Sequence, residues 1–296
     1  MWRKATALLV GASALLVSTQ ASAFCRSTTC RSTGAKECPT DGDGCPAEGE
    51  KLFWPTSCIS YATNELGTQD LDPVDTRAII KKTFQAWTDV KCKDGKIASM
   101  AFQEREPISC KKSEYNKEGP NVNVVLFQDD DWKYRGIDGT LAKTSVTYND
   151  ETGEIYDADI EVNTANNTVT ISDDPKKIQY DLQAILTHEV GHFIGIAHSA
   201  NSDAVMFASY SPGSIAQRKL TQDDIDAVCA VYKPNSSTVC NVEPRGGFSP
   251  SCDPPEESTT CAVAAPHTST SSSSTTSSLA FMGLGILAVT RIRRRR

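Results

Sequence analysis

Apolar residues gather in four short runs of the chain and recur at helical spacing in three longer ones. Cys58–Thr63, Val122–Gln128, Thr140–Tyr148 and Ile155–Asn163 read as strands. The link between the last two, NDETGE, is rich in turn formers and predicts a hairpin. Asp72-Pro73 opens a helix, with Asp as cap and Pro in the first turn. Ile79, Ile80, Phe84 and Trp87 give that helix its apolar stripe. A second helix is predicted from about Lys177 through Phe193, with Ile178, Leu182, Ile185 and Leu186 on its buried face. A third starts at Thr221, which stands at capping-box spacing from Asp224. Ile225, Val228 and Tyr232 are its buried stripe, and Pro234 stops it. Strands followed by helices predict an α+β domain.

That pattern fills residues 51–234, the one stretch able to bury a sizeable core. Residues 24–50 are rich in Cys, Gly, Asp and Thr without periodicity and read as an irregular segment tied by disulfides. Residues 235–278, rich in Ser, Thr and Pro, read as a linker, and 279–296 as an apolar run closed by arginines. Residues 1–23 read as a secretory signal: Arg3 and Lys4, the apolar run Ala5–Val17, then Ala21-Ser22-Ala23 as a small-x-small cleavage site. Export is therefore expected.

Charge sharpens the picture. The two end segments, 1–23 and 279–296, hold seven of the 30 basic residues and no acid, which leaves 23 basic against 37 acidic side chains between them, about -14. So acidic a body argues against a nucleic-acid partner. All eleven cysteines follow the predicted cleavage point, and export with many cysteines implies disulfides. Cys92 with Cys110 and Cys240 with Cys252 are pairings the spacing allows, and Cys261 is the candidate for the odd one over.

The candidate chemistry lies in HEVGHFIGIAH, His188–His198, which holds three of the four histidines. His188 and His192, four apart on a helix, present both rings on one face where they can share a metal. Gly195 permits a sharp left-handed exit, so the chain can swing back and supply His198. Three neutral imidazoles suit Zn2+ and leave its fourth position for water. Glu189, beside the first ligand, can take a proton from that water and pass it to a leaving amine.

These residues resemble the metzincin metalloproteases, whose pattern is HExxHxxGxxH, and Ser199 after the third histidine resembles the matrixin branch, which includes matrix metalloproteinases and bacterial relatives. The resemblance covers about residues 51–234. It implies a twisted, mostly parallel sheet with an antiparallel edge strand, an active-site helix and a C-terminal helix, the last seen in LTQDDIDAVCAVYKP. It implies a zinc endopeptidase acting on proteins or peptides, with Met206 in a tight turn beneath the metal and Tyr210 lining the specificity pocket. By the same resemblance Gly139–Ala142 is the edge strand above the cleft, with backbone groups of Leu141 and Ala142 aligning the substrate.

The chain also departs from the pattern. Where the animal enzymes place histidines for a second, structural zinc, it has Lys143 and Asp159, so one zinc is expected. Asp157, Asp159 and Glu161 alternate along one strand and form a candidate Ca2+ site, or else a solvated strand face. The latency motif PRCGxPD is absent, and a thiolate or carboxylate within 24–50 is a candidate plug for the zinc. The linker, short apolar run and RIRRRR resemble bacterial C-terminal sorting tails of the myxobacterial type, which implies transient or tail-mediated membrane association and a secreted or surface-attached monomer. A catalytically silent zinc protein that only holds peptides is the rival reading.

Overall fold

The computed structural model describes residues 23–32, 37–134, 140–236 and 239–252. Residues 1–22 of the expected signal segment, the sorting tail and Cys261 lie outside them. In chain order the elements are β1 (Cys25–Arg26), β2 (Cys58–Thr63), α1 (Pro73–Thr88), β3 (Ala101–Glu104), β4 (Val124–Phe127), β5 (Ala142–Tyr148), β6 (Ile155–Val162), β7 (Val169–Thr170), β8 (Tyr180–Asp181), α2 (Leu182–Phe193), β9 (Ile196–Ala197) and α3 (Gln222–Val231).

Five strands form one sheet in the order β3-β2-β4-β6-β5. The pairs β2–β3, β2–β4 and β4–β6 are parallel, and β5 closes the edge antiparallel to β6. This is the mostly parallel sheet with an antiparallel edge that the metzincin resemblance implied. Both faces are covered. On one, α1 and α2 bury Ile80, Phe84, Trp87, Leu186 and Phe193 against Ala158, Ile160 and Val162 of β6. On the other, Ala62, Val124 and Leu126 pack against Ile108, Cys110 and Val122.

α1 starts where its cap dictates: Asp72 accepts from the Val74 and Asp75 N–H groups. α2 starts at Leu182, five residues later than its apolar spacing suggested. Asp181 is the stronger signal, because its carboxylate accepts from Ala184 N–H and is gripped by Arg218. Ile178 stays extended after a short turn at Pro175–Lys177, and Tyr180–Asp181 pairs with β7. The far end of α2 is capped from a distance. Trp54 Nε1 donates to the Phe193 carbonyl and the Tyr232 hydroxyl to that of Ile194, satisfying acceptors the helix leaves open.

Among the described residues five disulfides join Cys25–Cys45, Cys30–Cys38, Cys58–Cys240, Cys92–Cys229 and Cys110–Cys252. The pairings suggested by spacing, Cys92–Cys110 and Cys240–Cys252, do not form. Each of those cysteines instead bridges elements more than 130 residues apart, because α3 and the segment after it return to the strands. Residues 239–252, read above as linker, are therefore part of the folded body: Asn121 N–H donates to Gly247 and Ser249 N–H to Asn121. The 24–50 segment holds no plugging thiolate, since its four cysteines are all bridged.

Candidate metal centre

α2 carries His188 and His192 on one face. The chain leaves the helix at Gly195 with φ +85°, the left-handed exit its glycine permits. A Cβ at Gly195 would lie 2.7 Å from the Leu52 carbonyl oxygen, so the close approach also requires glycine. β9 follows, held by β1 in an antiparallel pair, and delivers His198. The candidate ligand nitrogens of the three histidines all lie within 4.8 Å of one another, the one such cluster among the described residues.

The tautomers are set by the backbone. His188 Nδ1 stands 2.7 Å from the Val205 carbonyl and His192 Nδ1 2.9 Å from that of Ile196. A carbonyl can only accept, so both Nδ1 atoms carry protons and both Nε2 lone pairs point inward. His192 Nε2 and His198 Nε2 are 3.2 Å apart. Tetrahedral Zn2+ with bonds of about 2.0–2.1 Å needs nitrogens about 3.3 Å apart, the spacing of this pair, and three imidazoles are a donor set that suits that ion. Burial and the neighbouring imidazoles push His192 well below the usual histidine range, and burial chiefly pushes His198 down to about 4. Both rings are thus neutral at physiological pH, as metal ligands must be.

Glu189 is 7% exposed. Burial raises its pKa, while His188 and a hydrogen bond from Thr144 pull the other way. The Thr144 hydroxyl stands 2.5 Å from Glu189 Oε2 and 3.1 Å from its carbonyl oxygen. Thr144 belongs to the edge strand, so the strand that borders the cleft also grips this carboxylate.

Met206 lies in a buried turn against the helix. A Cβ on Gly191 would fall 2.1 Å from Met206 Sδ. The turn hangs on Asp224 of α3, whose carboxylate accepts from the Val205 and Met206 N–H groups as well as from Thr221. Sequence reasoning saw Asp224 as a helix cap alone; its second role joins segments 18 residues apart and leaves no local pattern. Thr144 was missed for the same reason, standing 45 residues from its partner.

The cluster opens on a cleft of about 920 Å³, bordered by Leu141, Ala142 and Thr144 on one side and by Phe207, Tyr210 and Pro212 on another. No described residue of 24–50 borders it. The Tyr210 hydroxyl accepts from Asp181 N–H and donates to the Ser214 carbonyl, which fixes its ring in the wall. The Leu141 carbonyl accepts from Asn163 N–H and so faces β6, while the backbone groups of Ala142, the next residue in the antiparallel ladder, face the open edge.

The acidic strand face also departs from expectation. Asp157, Asp159 and Glu161 are 2%, 1% and 0% exposed, so it is not a solvated face. Nor do the three carboxylates converge on one point. Asp159 accepts from Val124 N–H, Glu161 accepts from Gln128, Tyr134 and Lys133, and Asp157 Oδ1 is buried without a partner among the described residues. Lys143 faces Glu161 across the ladder, and the arrangement gives no support to a Ca2+ site.

Comparison with known proteins accords with this geometry. The chain is 24% identical over 189 residues to metalloendoproteinase 1-MMP of Arabidopsis thaliana, covering 62% of this chain and 46% of that protein. It is 25% identical over 202 residues to neutrophil collagenase of Homo sapiens, covering 68% and 37%. Metalloendoproteinase 1 of Glycine max is 28% identical over 159 residues, covering 53% and 45%. The chain thus spans about half the length, or less, of the curated relatives it matches. A family model described as Matrixin matches residues 53–233, more than half of the sequence, and the chain belongs to that family.

Proposed function

We propose that this protein is an exported zinc-dependent endopeptidase. The observation that carries the reading is the convergence of three imidazoles beside a buried carboxylate, at the floor of a cleft bordered by a sheet edge. His188, His192 and His198 hold the ion. Bound zinc supplies Lewis-acid activation of water and of a peptide carbonyl. Ala142 offers backbone groups to an extended peptide lying along β5 as an added strand. Glu189 takes the proton released by the attacking water and gives it to the leaving amine. Thr144 holds the carboxylate through Oε2, which leaves Oε1 for that exchange. Met206 closes the floor under the histidines, and Tyr210 walls the pocket for the substrate side chain.

Export is supported by the basic-apolar-small pattern of residues 1–23 and by five disulfides, which persist in oxidising compartments. The terminal RIRRRR supports anchorage or sorting at a membrane, and among the described residues no helix is long and apolar enough to cross one. The test is cleavage of a mixed peptide library by purified protein, before and after stripping with a chelator. Cleavage that disappears on stripping and returns with Zn2+ is expected; cleavage indifferent to the metal would overturn the reading.

A further inference from the structure

Apart from its histidines and Glu189, the charged residues that border the cleft among the described ones are both basic. Lys133 and Lys143 border it, together with Tyr134. Glu189 is the sole acidic residue among the described ones that border it. This occurs in a chain with 37 acidic against 30 basic side chains, so a positive cleft is not what its overall charge would produce. The two lysines differ in their attachments. Lys133 pairs with Glu161 at 2.9 Å, and Glu161, fully buried, also accepts from Gln128 and Tyr134. Lys143 donates to Ser145, and its ammonium lies 4.3 Å from the centre of the Tyr134 ring. Among the described residues no carboxylate stands at ion-pair distance from it; Glu161 attracts it from farther away. Half-burial disfavours its charged form. An ammonium partly removed from water without a carboxylate beside it is costly until one arrives.

Its place along the edge gives that carboxylate a source. Lys143 precedes Thr144, which touches Glu189, so its stem leaves β5 one residue from the one that grips the proton carrier, on the opposite face of the strand. A peptide added to this edge presents like-facing side chains about 6.5–7 Å apart, which brings one of them to the ammonium within a residue or two of the bond cut. We propose that Lys143, with Lys133 beside it and the Tyr134 ring beneath, forms a subsite for an acidic side chain of the peptide substrate, flanking the scissile bond. The proposal rests on the peptidase reading and adds the chemistry of the preferred substrate to it.

The experiment uses short neutral peptides in which glutamine is replaced by glutamate one position at a time. Binding is measured on zinc-loaded Glu189→Ala, and kcat/KM on the unaltered protein. At one position flanking the cut, glutamate is favoured about five- to tenfold at low salt, and the ratio shrinks as ionic strength rises. Lys143→Gln brings the ratio close to one and Lys143→Arg keeps it. Each ratio is taken within a single variant, so partial loss of folded protein cancels. A ratio near one at every position, or a preference that survives Lys143→Gln, overturns the subsite. Glutamate peptides that bind tighter but are never cut would sink the peptidase reading and leave the subsite standing.

Discussion

Replacing Gly191 by alanine is the sharpest probe of how the turn at Met206 supports the metal-binding helix. The added methyl would lie 2.1 Å from Met206 Sδ, 2.9 Å from Met206 Cε and 3.2 Å from Trp87 Cζ2. Ordinary contacts between such atoms are about 3.5–4.0 Å, so the sulfur must retreat by more than about 1 Å. Met206 has little room: it is 1% exposed, and its backbone N–H is held by Asp224. Trp87 is fully buried and fixed by its own hydrogen bond to the Thr187 carbonyl, 3.0 Å away. Overpacking of this kind costs about 1–3 kcal/mol. For a domain of this size that lowers Tm by about 3–10 °C. The assay is thermal unfolding of Gly191→Ala, Met206→Ala and the double variant, each with measured zinc content. Met206→Ala alone costs about 2–5 kcal/mol through the cavity it leaves. The double variant should be less destabilised than the sum of the singles by about 1 kcal/mol or more, because the new methyl then has space. Additive losses, or a Gly191→Ala protein as stable as its parent, would refute the reasoning.

Three further outcomes follow from the same geometry. Thr144→Val keeps the shape of the side chain and removes the hydroxyl on Glu189; kcat in peptide cleavage should fall about tenfold with KM little changed, and Thr144→Ser should recover it. Burial raises Asp157 well above the usual carboxylate range and raises Asp159 to about 8, so the folded state holds more protons than the unfolded state above pH 4. Stability contributed by their protonated forms is whole below the unfolded value and fades as pH rises through the folded one, so denaturation midpoints should drop between pH 5 and 8 and Asp157→Asn should flatten that slope. Serine at both Cys58 and Cys240 opens a bridge between residues 182 apart; denaturant unfolding should show a loss of about 2–5 kcal/mol, and limited proteolysis should cut faster just after residue 239, with the fragment still held by Cys110–Cys252 until that bridge is reduced.

The metal centre was the most legible part of this chain because its spacing is local. Two histidines four apart share a helix face by geometry alone, and Gly195 marks the exit that returns the third. The sheet was legible as well: β2, β4, β5 and β6 all fall within apolar runs, and the turn-rich NDETGE does join the last two. β3 escaped notice because four residues, AFQE, give no periodicity of their own; pairing with β2 makes them a strand. Long-range partners left no trace either. Nothing near Cys92 points to Cys229, nothing near Thr144 points to Glu189, and the capping role of Asp224 concealed its hold on the turn at Met206. The acidic alternation of β6 misled for a related reason. Alternation reveals which residues share a face, but the cover over that face comes from residues far away in sequence, among them Gln128, Lys133 and Tyr134.

The central claim is that Glu189 carries the proton in peptide hydrolysis at a zinc held by His188, His192 and His198. Cleavage of a peptide by the unaltered protein and by Glu189→Ala, at matched zinc content, tests it most directly. Full zinc occupancy in both, with turnover lost by a factor of about a hundred or more in the variant, is the predicted result. Equal turnover in the two proteins would contradict the account.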